Sequence, residues 1–107
     1  MNVSSLRSSI VRQTIKALNA EKLDDFMALF APDATVVDGP AYSGSEEIRA
    51  WTERENFGVH MRIDVVREED AQGLVIGIQA TSQGGYSGPG TFSFTLQDDL
   101  IKRLVIS

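Results

Sequence analysis

Residues 17–38 read ALNAEKLDDFMALFAPDATVVD, and the change of period partway along this stretch decides the fold. Up to Phe30 the apolar side chains recur at helical spacing, whereas Ala34 to Asp38 is a short β-branched run closed by the turn pair Gly39-Pro40. A helix is predicted over Leu23–Phe30. Asp24 and Asp25 lie in its first turn, where carboxylates suit the positive end of the helix dipole, and Pro32 stops it. Upstream, Leu6, Ile10, Val11, Ile15 and Leu18 mark one buried stripe of an earlier helix, capped by Ser4 or Ser5 and ending near Asn19.

Downstream, Ser45 followed by Glu46 and Glu47 opens a third helix. Ile48, Trp51 and Glu55 follow at helical spacing, and the helix ends over 56–58. The remaining half reads as four strands, Val59–Glu68, Leu74–Ser82, Gly90–Leu96 and Leu100–Ile106, joined as a meander. Residues 70–73 and 97–99 are short hairpin loops, and 82–90, SQGGYSGPG, is a wide glycine-rich connection expected not to pack rigidly. Met61, Ile63 and Val65 are joined by Val66, and Leu104 and Ile106 alternate with Ile101 and Val105, so both sheet faces carry apolar side chains. Three helices cover one face. A partner subunit is the simplest cover for the other.

A chain of 107 residues with 42% apolar and 23% charged side chains suits a single globular domain, residues 1–107. The net charge of −5 and the scatter of the ten basic residues argue against a nucleic-acid partner. Cysteine is absent, which removes disulfides and thiolate chemistry, and a lone histidine, His60, makes zinc improbable, so no metal and no cofactor are expected. Arg7, Arg12 and Lys16 interrupt the apolar pattern near the N-terminus. Neither a signal-peptide core nor a membrane span is expected there, and the cytoplasm is the default location.

The order helix, helix, strand, helix, four strands, together with Phe30-Ala31-Pro32-Asp33-Ala34 and a strand ending in Asp38, resembles the nuclear transport factor 2-like superfamily. Within it the SnoaL-like and ketosteroid isomerase branches look nearest, through Tyr42-Ser43-Gly44 and on to Trp51. The resemblance implies an α+β fold, a cone-shaped barrel with three N-terminal helices packed on a curved, mainly antiparallel sheet that encloses a pocket. It also implies a homodimer through the outer sheet face. The general-base aspartate of the ketosteroid isomerases falls on Asp38. Their oxyanion-hole tyrosine falls on Thr14 and their late-strand acid near Phe92. A threonine hydroxyl is shorter and far less acidic than a phenol, and phenylalanine donates no hydrogen bond, so neither can fill the family role.

Asp38 therefore has two readings, a pocket base or a turn cap serving the amides around Gly39-Pro40. The expected cavity is bounded by Phe26, Phe30, Trp51, Met61 and Phe92, with Thr14 on its helical side. Each of the aromatics is also a natural core residue. Tyr42 and Tyr86 lie in turns that can border the mouth, and His60 is expected on the outer face or at an interface. No phosphate-loop or nucleophile-elbow motif is present. The pattern points to acid-base chemistry at Asp38 on an apolar cyclic or carbonyl-containing small molecule, of isomerase, cyclase or hydrolase type but not steroid isomerisation. The alternative is a non-catalytic module that binds a hydrophobic ligand or dimerises.

Overall fold

The computed structural model describes residues Met1–Ser107. Helix α1 (Ser9–Ala20) is followed by α2 (Leu23–Met27), strand β1 (Phe30–Asp38), β2 (Ala41–Ser43) and α3 (Gly44–Glu55). Then come β3 (Arg62–Glu68), β4 (Val75–Thr81), β5 (Gly88–Gln97) and β6 (Leu100–Ile106). The strands form one sheet in the order β2-β1-β6-β5-β4-β3, antiparallel except where β1 runs parallel to β6. Three helices pack on this curved α+β sheet, the cone-like arrangement expected. None of them is long and apolar enough to cross a membrane.

Local chemistry moves several predicted boundaries. The cap of α1 is Ser8, whose hydroxyl accepts from Val11 N–H at 3.2 Å, while residues 3–5 form a separate 3-10 turn around Asn2. Helix α2 stops at Met27, so Pro32 does not end a helix but sits inside β1. It is tolerated there because the pairing of β1 with β6 is irregular between Phe30 and Thr35. At α3 the cap position is Ser43, whose N–H is taken by Glu47 Oε1 at 2.8 Å. Residues 57–59 form a 3-10 turn rather than the start of β3, and His60 follows in a left-handed conformation (φ 51°). Its imidazole Nδ1 lies 2.9 Å from Glu21 Oε2 in solvent, so it is not on the outer sheet face.

Two extra residues change which side chains reach the core. On β3, Val65 pairs with Ile78 and Arg67 with Gly77, leaving Val66 as a bulge that is exposed. On β6, Ile101 pairs with Leu96 and Arg103 with Thr95, so Lys102 is the extra residue, and Ile101 and Leu104 both point inward. Lys102 bonds Asp33 across the matching irregularity in β1. The outer face is thus less apolar than alternation predicted. Its main apolar feature is a row in register across the sheet, Ala41, Val37, Val105, Ser93 and Val75.

The core lies between the helices and the concave sheet face. Leu6, Val11, Ile15, Leu18, Ile48 and Trp51 meet Val36, Ile76, Phe92 and Leu104 there. Phe26 and Phe30 close the end near the start of β1, their ring centroids 4.9 Å apart.

Candidate functional site

At the other end of β1 the layers part around a cavity of about 370 Å³, within the range of small-molecule sites. The sheet contributes Asp38, Ile63, Ile78, Ala80, Pro89, Gly90, Phe92 and Ile106, and the end of α3 contributes Trp51, Glu55 and Asn56. Met61, Gly85, Tyr86 and Ser107 complete the wall.

Asp38 is half-buried and is placed by pairing with Ile106 of β6. Its Oδ2 accepts the indole N–H of Trp51 at 3.0 Å. Backbone groups hold the turn itself, with Asp38 N–H donating to Pro40 O at 2.9 Å, so the carboxylate does not serve the turn amides. Its other oxygen, Oδ1, has no partner within the chain. Trp51 is buried beneath this bond. Tyr42 stacks behind Trp51 at 6.2 Å between centroids, and the Arg54 guanidinium lies 5.7 Å over the Tyr42 ring. A hydrogen bond to Glu55 Oε1 at 3.1 Å, with a smaller contribution from Tyr42, raises the Arg54 pKa above its ordinary value.

Of the residues expected to bound the cavity, Asp38, Trp51, Met61, Tyr86 and Phe92 do so. Phe26 and Phe30 do not, because they are packed into the opposite end. Thr14 is also elsewhere: it is fully buried in α1 and donates its hydroxyl to Ile10 O at 2.7 Å. Tyr42 supports the wall from behind rather than forming it.

The loop over 82–90 departs from the mobile connection expected. Ser82 Oγ accepts from Gly85 N–H and donates to Tyr86 O, Ser87 Oγ accepts from Ser82 N–H, and Gln83 N–H donates to Val59 O. Tyr86 folds back so that its hydroxyl donates to Pro89 O at 2.5 Å. Gly88 (φ 152°) permits this, since a Cβ there would stand 2.7 Å from the Tyr86 hydroxyl.

Sequence reasoning missed Asn56, which reads simply as a helix terminator. Its backbone is held on both sides, N–H to Thr52 O at 3.1 Å and C=O from Met61 N–H at 2.8 Å. The residue lines the cavity, yet its Nδ2 is buried with no hydrogen-bond partner. Leaving such a group unpaired costs about 1–3 kcal/mol.

The fold is shared with solved structures of low sequence identity. A proposed polyketide cyclase from Sinorhizobium meliloti superposes with a TM-score of 0.88 at 24% identity over 100% of both chains. A proposed ketosteroid isomerase from Kribbella flavida gives 0.77 at 18% identity, over 92% of this chain and 73% of that one. A Mycobacterium tuberculosis protein, solved in complex with estradiol-17β-hemisuccinate, gives 0.76 at 16% identity over 91% and 88%. Among curated proteins, none matches the sequence. Residues 11–104 match the SnoaL-like domain family, and with its helices packed on a curved six-stranded sheet the chain belongs to that family, within the nuclear transport factor 2-like superfamily.

Proposed function

We propose that the cavity binds a small apolar molecule, cyclic or carbonyl-bearing, and that Asp38 moves a proton on it. The observation that carries this reading is the carboxylate itself: it lies on the wall of a largely apolar cavity, oriented through Oδ2 by the Trp51 indole, with Oδ1 free to meet a ligand. A carboxylate held by one oxygen and open at the other has the geometry a general base needs. Fold-level likeness to cyclases and isomerases agrees with this reading but does not carry it. Steroid isomerisation through the family's oxyanion hole is not proposed, because Thr14 is spent on the Ile10 carbonyl and Phe92 offers no donor.

The test is Asp38→Asn, which keeps size and a hydrogen-bond acceptor for Trp51 while removing the base. A panel of β,γ-unsaturated ketones, epoxides and polyketide-like aromatics is assayed for binding and turnover. The expected result is turnover by the wild type, at least 100-fold slower in the variant, with binding kept. Turnover unchanged in Asp38→Asn removes Asp38 as the base. Binding across the panel with no wild-type turnover favours the second reading, a hydrophobic-ligand module, which the missing oxyanion donors also support.

The same reading includes a homodimer through the outer sheet face. The row Ala41, Val37, Val105, Ser93 and Val75 supports it as a continuous strip of small and β-branched residues. Val105→Glu should then convert dimer to monomer or aggregate in light scattering, and a wild type that is monomeric at micromolar concentration rules the dimer out.

A further inference from the structure

The helices and sheet satisfy their own buried side-chain polar atoms with one exception. Thr14 and Thr52 each donate to a carbonyl one turn back, at 2.7 Å. Asn19 bridges α1 to β3 by accepting from Ile63 N–H at 2.7 Å and donating to Ile63 O at 2.9 Å. Asn56 Nδ2 alone is buried and unpaired, in a residue only 6% exposed. Its Oδ1 is not among the buried unpaired atoms and keeps accessible surface.

Two further facts give this orphan a direction. The Asn56 backbone is pinned by Thr52 and Met61, so the residue cannot move away to find a partner. The residue also borders the cavity that Asp38 and Trp51 face, although Nδ2 is turned away from it. The torsion that turns an asparagine amide is broad and roughly two-fold, so a half-turn can present either the NH₂ or the oxygen to the cavity. A buried N–H without an acceptor is the rarer and more costly deficit, because a carbonyl tolerates an unused lone pair more readily. A half-turn that brings the NH₂ to a ligand oxygen therefore resolves more than a ligand hydrogen would.

We propose that Asn56 is the hydrogen-bond donor that recognises an acceptor oxygen on the occupant of the cavity, which makes ring ketones preferred over hydrocarbons of the same shape. This rests on the ligand-binding reading above and adds the residue that sets polarity within it. Asn56 holds the oxygen and Asp38 faces another part of the same molecule, so one occupant uses both groups of the mainly apolar wall.

The experiment is calorimetric titration with the matched pair 1-tetralone and tetralin, which differ by the carbonyl. Wild type should bind the ketone about 10-fold more tightly, the size of one net hydrogen bond. Asn56→Leu, which keeps the branching at Cγ but has no polar atoms, should bring the ratio to about one while tetralin binding is kept. Asn56→Asp, which offers only acceptors when ionised, should also lose the preference and serves if the leucine variant does not fold. Equal affinity of wild type for the two probes overturns the Asn56 role while leaving the pocket reading intact. A ketone preference that survives both substitutions overturns it as well, by moving the donor elsewhere. Failure of both probes to bind wild type would sink the ligand reading and this proposal with it.

Discussion

The two ends of β1 differ in how their residues are used. At the Phe30 end, aromatic rings fill the space between helices and sheet. At the Asp38 end the layers part, a carboxylate oxygen stands free, and an amide nitrogen is buried without a partner. One strand thus links an end that is finished as a folding unit to an end that is not. Local rules of packing and hydrogen bonding hold at the first and are relaxed at the second, which is the pattern expected of a scaffold and the site it carries.

The sharpest way to break this contrast is to truncate one side chain at each end. Phe26→Ala should lower unfolding free energy by about 3–5 kcal/mol, because a fully buried ring leaves a cavity its neighbours cannot fill. Met61→Ala, on a half-buried residue that already borders open space, should cost about 1–2 kcal/mol. Urea titrations that gave equal losses would show that the Asp38 end is as tightly packed as the other. A second measurement addresses what organises the open end. A double-mutant cycle of Trp51→Phe and Asp38→Ala should give a coupling of about 1–2 kcal/mol if the 3.0 Å indole bond fixes the carboxylate. A coupling near zero would leave Asp38 unanchored.

The smallest effect lies at Asp33, where the hydrogen bond from Lys102 holds the carboxyl below the usual carboxylate range. A depressed folded value means that the stabilisation is present above the unfolded pKa of about 3.9 and is lost as pH falls through the lowered folded value. Asp33→Asn should therefore flatten that part of the acid limb of a melting profile and leave neutral pH almost unchanged. An identical acid limb in the variant would show the pair to be inert.

The closed end was far more legible in the sequence than the open one. Strand β6 lies over the predicted residues, and the amphipathic stripe Val11, Ile15, Leu18 is buried as its spacing requires. Periodicity states that Phe26 and Phe30 are inside, but not at which end of a tapering fold, which is why the expectation that they bound the cavity fails and they fill the opposite end. Alternation also fails at a bulge, which is why Val66 and Ile101 misled about the outer face. Strand β2, three residues after a Gly-Pro turn, is too short to carry a period. Asn56 was hidden by a more ordinary explanation, since asparagine ends helices for reasons unrelated to ligands. Asp38 was visible through a resemblance carried by its neighbours, and its bond to Trp51 could not be read from spacing because a turn and a strand intervene.

The parallel pairing of β1 with β6 bears on the order in which the molecule assembles. Hairpins β3–β4, β4–β5 and β5–β6 can zip outward from their own turns, whereas β1 must find β6 across most of the chain and bear the entropy of closing that loop. Asp38 is set opposite Ile106 by that pairing. The bond from Trp51 to its carboxylate is local, through β2 and α3, but the rest of the cavity wall comes from the meander, and pulsed hydrogen exchange should find the β1 amides that face β6 protected later than those of β4 and β5. A cavity closed on the β1 side would then be the last feature the chain completes as it folds and the first it loses when β1 detaches from β6.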